Sequence, residues 1–195
     1  MKLNNTYFIL RHGQTPYQLK EEDIIYPFPE KEKIFLTEEG KEQVERAAEK
    51  LKDKNIDVIF SSPINRTRQT SKIVKEKLGN IEAIFDNRLR EKDAGIFKGR
   101  PKKEYDAYFK SREEKFWKAP PQGENWSDVK ERMMNFLSET NEKYKNKNVL
   151  IISHQGPLLF LQAGVQELNQ EEILEKRKEL SPKTGELRCL SDKKL

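Results

Sequence analysis

Histidine and cysteine are scarce in this 195-residue chain, two and one respectively. The single thiol, Cys189, excludes an internal disulfide and a cysteine-rich zinc site, and reads as a buried or edge-strand residue. No apolar run approaches the roughly 18 residues of a membrane span, so no membrane partner is expected. The N-terminal MKLNNTYFILRHG holds one lysine and an apolar run too short for a signal peptide. These absences together favour the cytoplasm. A long block of one charge is also missing. Basic residues are scattered among acids, as in KEKLGN and EEKFWK. The net charge of +5 therefore suits an anionic partner, but the pattern is that of solvated helix faces rather than a nucleic-acid surface, and no nucleic acid is expected.

What is present is a clustered pattern. Hydrophobic residues make up only 34% of the chain against 36% charged, so folding depends on where the apolar residues fall. TYFILR (6–11), DVIFSS (57–62), IEAIFD (81–86) and NVLIIS (148–153) read as strands, with ELRCL (186–190) as a fifth. The near-continuous apolar character of the first, second and fourth suits strands covered on both faces. Helical patterns alternate with them. Thr37 caps a helix that aligns Val44, Ala47, Ala48 and Leu51, and Pro63 suits the first position of the next. Asn125, with Asp128 as reciprocal cap, opens a helix burying Trp126, Val129, Met133, Phe136 and Leu137; another starts near Gly156. This alternation predicts an α/β fold, a three-layer αβα sandwich with a mainly parallel sheet.

Length and the lack of repeats or low-complexity linkers point to one domain, 1–195, with two excursions. Residues 19–35, with Pro27 and Pro29, read as a long loop. Residues 100–122 read as a helical excursion ending at Pro120 and Pro121, whose Tyr105, Tyr108, Phe109, Phe116 and Trp117 mainly pack it onto the body, the alternative being that one or two line the pocket and select the organic part of the substrate. Such excursions are frequent sites of lids and binding loops.

Ligands of open α/β sheets bind beyond the carboxyl ends of the strands. Three strands here end in Arg11-His12-Gly13, Ser61-Ser62-Pro63 and Ser153-His154-Gln155-Gly156, and Arg66 follows the second by one helical turn. A lone histidine after a strand is more often a packing residue. Both histidines at strand ends, each beside an arginine or a small-residue turn, point instead to a shared anion site. They make a poor metal centre, because carboxylates at helical ligand spacing are missing and the arginines repel a cation, so no metal or cofactor is expected.

LRHGQT, SSPINRTRQT, LREKDAGIFKG, PPQGENWSDVKERMMNFL and ISHQG occur in the order of the histidine phosphatase superfamily, the group that includes cofactor-dependent phosphoglycerate mutases, and the chain resembles it from residue 10 to 156. The resemblance implies the phosphoglycerate mutase-like αβα fold and a small phosphorylated metabolite as partner. It implies His12 as the nucleophile that becomes phosphohistidine, and Arg11, Arg66 and His154 as a cationic clamp on the phosphoryl group. Glu91 falls at the proton-donor position, and Thr15 and the Gln155 backbone amide at phosphate contacts. Gln18 stands where the family commonly has asparagine, which shifts or removes that contact.

The chemistry supports these residue types. A transferring phosphoryl group spreads charge over three oxygens, so catalysis is positioning plus electrostatic stabilisation. Arginine matches two phosphate oxygens and stays charged. The nucleophilic imidazole must be neutral and held in one tautomer, for which a backbone carbonyl near Gly13 is expected to serve. Gly13 and Gly156 are expected to let the backbone turn sharply and approach the ligand. Glu91, and the lack of insertions, favour a phosphomonoesterase. The alternatives are a mutase-type phosphoryl transfer and a catalytically idle phosphoester-binding module.

Overall fold

The computed structural model describes residues 2–27 and 34–190. Its apolar runs form five strands: β1 (Thr6–Arg11), β2 (Val58–Ser61), β3 (Ala83–Phe85), β4 (Asn148–Ser153) and β5 (Leu187–Cys189). They make one sheet in the order β3-β2-β4-β1-β5. The first four lie parallel, and β5 pairs antiparallel with β1 at the edge, where Cys189 is half-buried. Every strand read from the sequence is present.

Seven helices connect or cover the described strands: α1 (Glu38–Leu51), α2 (Asn65–Lys77), α3 (Lys102–Ala107), α4 (Trp126–Lys143), α5 (Gln155–Val165), α6 (Gln170–Glu175) and α7 (Arg177–Leu180). The two-residue period of β1 divides the core between them. Tyr7 and Ile9 pack with Met133 and Phe136 of α4 and Leu158 of α5. Phe8 and Leu10, on the other face, pack with Val44 and Leu51 of α1 and Val74 of α2. The result is the three-layer sandwich that the alternation implied. The caps form as expected: Thr37 Oγ1 accepts from Gly40 N at 3.0 Å, while Asn125 and Asp128 exchange side-chain-to-backbone bonds of 2.9 Å.

The start of α2 differs from expectation. Ile64, in extended backbone, is its N-cap, and Pro63 lies outside the helix. The cause is that Ser62 N still donates to Ile152 O at 3.0 Å, so the chain leaves the sheet later than the proline suggested.

The two excursions pair with each other. Ile25 N donates to Arg100 O at 3.0 Å, Gly99 N donates to Ile25 O at 2.9 Å, and Ile24 bridges Pro101. Residues 100–122 are helical only at α3 and in a 3-10 turn at Glu113–Phe116. Phe116, Tyr105 and Phe109 are buried as expected, but Trp117 is 61% exposed. Trp117 is the C-cap of the 3-10 turn, just past its last residue, Phe116. Pro29, with residues 28 to 33 of the first excursion, lies outside the described residues. No helix among the described residues is long and apolar enough to cross a membrane.

Candidate active site

Sheet order decides where the polar residues meet. β1 and β4 are adjacent, yet β1 leads to α1 on one face and β4 to α5 on the other. Diverging connections open a crevice at the carboxyl ends of the two strands. The register sets Arg11 opposite Ser153, and His12 N donates to Ser153 O at 3.1 Å. A cavity of about 820 Å³ opens there, lined at this end by Arg11, His12, Gln18, Tyr26, Arg66, Glu91 and Gln155.

His12 is 1% exposed, and its Nδ1 lies 2.8 Å from Gly13 O. A carbonyl only accepts, so Nδ1 carries the proton and Nε2 is the basic nitrogen. Burial first, then the charges of Arg66 and Arg11, hold the His12 pKa well below the usual histidine value, against the Gly13 carbonyl, which acts to raise it. The imidazole is therefore neutral across the physiological range. His154 is fully buried with its ring centroid 5.3 Å from that of His12, and its Nε2 shares a 2.9 Å hydrogen bond with Ser62 Oγ. Its pKa is also depressed, by burial and then by Arg66. It is not among the residues lining the cavity, where Arg11 and Arg66 supply positive charge.

Arg11 is held by a 3.0 Å bond to Pro182 O, and its Nε is buried without a partner among the described residues. Arg66 is 1% exposed, with its guanidinium 3.9 Å above the Tyr26 ring. Like-charged guanidiniums enclosed together cost stability and pay off only toward an anion.

Thr15 and Gln18 both turn to Tyr26. Thr15 Oγ1 lies 2.7 Å from the Tyr26 hydroxyl, Gln18 Nε2 donates to that hydroxyl at 2.6 Å, and Thr15 N donates to Gln18 Oε1 at 2.8 Å. The extra methylene of Gln18, compared with asparagine, lets it close this triangle. Sequence reading missed Tyr26 because it lies on an irregular loop with no periodic signal, and only tertiary pairing with residues 99–102 brings it over Arg66.

Glu91 lines the cavity from the segment after β3, anchored by Ser153 Oγ donating to Leu89 O at 2.7 Å. Its Oε1 accepts from Lys92 N at 2.9 Å. The glycines act differently from expectation: neither Gly13 nor Gly156 has positive φ, so neither makes the sharp turn. Both serve close approach. A Cβ on Gly13 would lie 2.1 Å from Gly40 O, and one on Gly156 3.0 Å from Glu91 Oε1. Gln155 opens α5, so the free amides of its first turn face the same end of the sheet.

A mainly parallel α/β sheet thus gathers buried imidazole and guanidinium groups at its switch point, the architecture of an α/β enzyme. The chain belongs to the histidine phosphatase superfamily, branch 1, whose family model matches residues 7–179. It is 29% identical to a 2,3-bisphosphoglycerate-dependent phosphoglycerate mutase of Parvibaculum lavamentivorans over 87% of this chain and 84% of the relative. It is 34% identical to phosphoserine phosphatase 1 of Hydrogenobacter thermophilus over 63% and 60% of the two chains. The structure of Bacillus stearothermophilus YhfR superposes with a TM-score of 0.79 at 21% identity, covering 95% of this chain and 90% of that one, which shows the shared fold.

Proposed function

We propose that the protein is a phosphomonoesterase that hydrolyses a small phosphorylated metabolite through a phosphohistidine on His12. The observation that carries this reading is the buried, neutral His12, with Nδ1–H fixed on the Gly13 carbonyl and Nε2 left basic between Arg11 and Arg66. Nε2 attacks phosphorus and the P–O ester bond breaks. The departing alkoxide takes the proton of the Glu91 carboxylic acid. Water then gives a proton to the Glu91 carboxylate and attacks phosphorus. The P–N bond breaks, orthophosphate leaves, and His12 is regenerated.

Arg11 and Arg66 bind the equatorial oxygens, and the amides opening α5, Gln155 included, add donors. One unit-charge pair at about 4 Å is worth roughly 4 kcal/mol at an effective dielectric of 20, before desolvation costs. A bound dianion opposes the depression of the His154 pKa, so that ring gains positive character as substrate arrives. Thr15 and Gln18 act at one remove, by fixing Tyr26 against Arg66.

His12→Ala is expected to abolish both turnover and acid-labile phosphoryl labelling of the protein, read by phosphate release and by ³¹P NMR of the stalled enzyme. Full activity in that variant refutes the assignment. The likeness to a mutase gives a second reading, in which His12 passes the phosphoryl group to another position of the substrate. Isomerised product stimulated by a bisphosphate, in place of free phosphate, selects it.

A further inference from the structure

The cavity does not end at His12. It runs past Glu91 beneath the second excursion to a far end lined by Lys92, Tyr105, Lys115, Trp126 and Arg177. These residues come from the segment after β3, from α3, from the 3-10 turn at Glu113–Phe116, and from the starts of α4 and α7. Cations dominate there. Asp106 is the carboxylate in contact with the group, and it is divided between Lys115, at 2.5 Å, and Lys102. Lys92 bonds the Tyr105 hydroxyl and lies 3.7 Å over that ring; Arg177 stands 5.0 Å over Trp126. Among the described residues neither makes an ion pair with a carboxylate.

The electrostatic consequence is visible in each member. Burial, with Lys115 and Arg177 adding to it against the opposing Glu91, presses the Lys92 pKa down to about 7. Lys115 and Arg177 are lowered as well, burial leading in both. Lys115 and Arg177 both depress Lys92, Arg177 also depresses Lys115, and only Glu91 and Asp106 oppose them at Lys92, so these buried cations above aromatic rings are incompletely compensated. An anion among them would oppose every one of these shifts.

We infer that the substrate carries a second acidic group, a carboxylate or a phosphate, remote from the scissile phosphoryl group and received by Lys92, Lys115 and Arg177. This deepens the phosphomonoesterase reading and rests on it. It separates the two ends of the cavity by role: the His12 end takes the reacting group, and the Arg177 end selects the alcohol by its charge. A substrate that ends in a neutral hydroxyl leaves the far cations unpaired and loses that attraction.

Matched esters test it. Glycerol 3-phosphate against 3-phosphoglycerate, and sorbitol 6-phosphate against 6-phosphogluconate, differ only in whether the far end is a hydroxymethyl or a carboxylate. The corresponding bisphosphates tell a phosphate preference from a carboxylate preference. In at least one pair the acidic member is expected to have kcat/KM higher by about tenfold or more, the gain of one charge-assisted hydrogen bond. Arg177→Gln is expected to collapse that ratio, and Lys92→Met reads the same ratio if the first variant does not fold. Equal kcat/KM within both pairs for the wild-type enzyme overturns the inference, as does a ratio unmoved by both substitutions. Phosphate release from the neutral members upholds the phosphatase reading independently. Should no ester be hydrolysed, that reading falls, and calorimetric dissociation constants for the same pairs decide the inference alone: about tenfold tighter binding of the acidic member supports it, and equal binding overturns it.

Discussion

At the scale of the residue, the centre of gravity is the contact between Tyr26 and Arg66. The guanidinium lies flat on the ring at 3.9 Å while Thr15 and Gln18 hold the phenol hydroxyl from two sides. A cation–π contact of this kind contributes about 0.5–2 kcal/mol, the larger figure where water is excluded. Tyr26→Ala is therefore expected to lower kcat/KM by roughly tenfold, as Arg66 samples unproductive rotamers. Tyr26→Phe keeps the ring and should keep most of the activity. Steady-state kinetics on any accepted ester, with circular dichroism to confirm folding, compares the two. Equal losses would place the contribution in the hydroxyl triangle instead of the ring. The methylene that Gln18 adds, which the sequence alone presents as a weakened phosphate contact, thereby acquires a positioning role.

Elements meet at this site with little slack. Gly13, just after β1, and Gly40, in the first turn of α1, touch backbone to backbone, so a Cβ on either falls 2.1 Å from a carbonyl oxygen. Backbone cannot step aside as a flexible side chain does. Gly13→Ala is expected to destabilise by about 2–3 kcal/mol or more, at the upper end of overpacking costs, and to reduce activity with it. Asn125→Ala removes the cap of α4 and should cost about 1 kcal/mol, with a smaller loss of activity than Gly13→Ala, since only α4's N-terminal amides lose a partner. Urea unfolding paired with kinetics separates the two behaviours. Strands and caps were legible beforehand because each depends on near neighbours in the chain: apolar runs for β1, β2 and β4, and a three-residue spacing for Asn125 and Asp128. Pro63 misled because a long-range bond, Ser62 to Ile152, outweighed a local preference.

Across the whole molecule, two buried neutral imidazoles link stability to pH. Their pKa values are lower folded than unfolded, so below about 6.5 the unfolded chain binds more protons than the native one. Stability is thus fully present above that pH and is lost as pH falls toward the depressed folded values. The ligand-free protein should lose up to about 1.4 kcal/mol per pH unit per histidine in this window. His154→Gln is expected to flatten the slope between pH 6.5 and 5, measured by thermal or urea unfolding. The same sign applies to the nucleophile, and kcat/KM should hold on the acid side to below pH 6.5 before falling. A midpoint above 6.5 contradicts the neutral His12.

The order and kind of the elements, and the presence of histidine and arginine at strand ends, could be read from the chain because periodicity and turn chemistry are local. Arg11, His12, Arg66 and Gln155 could be picked out for the same reason, as residues that end strands or open helices, whereas Glu91 was marked only by the resemblance of the ordered motifs. The partnership of Thr15, Gln18 and Tyr26 and the gathering of Lys92, Lys115 and Arg177 at the far end were not legible. Those arrangements depend on sheet order and on two irregular excursions pairing across some 75 residues of chain. Contacts of that separation leave no repeating signature in a sequence, and only packing decides them.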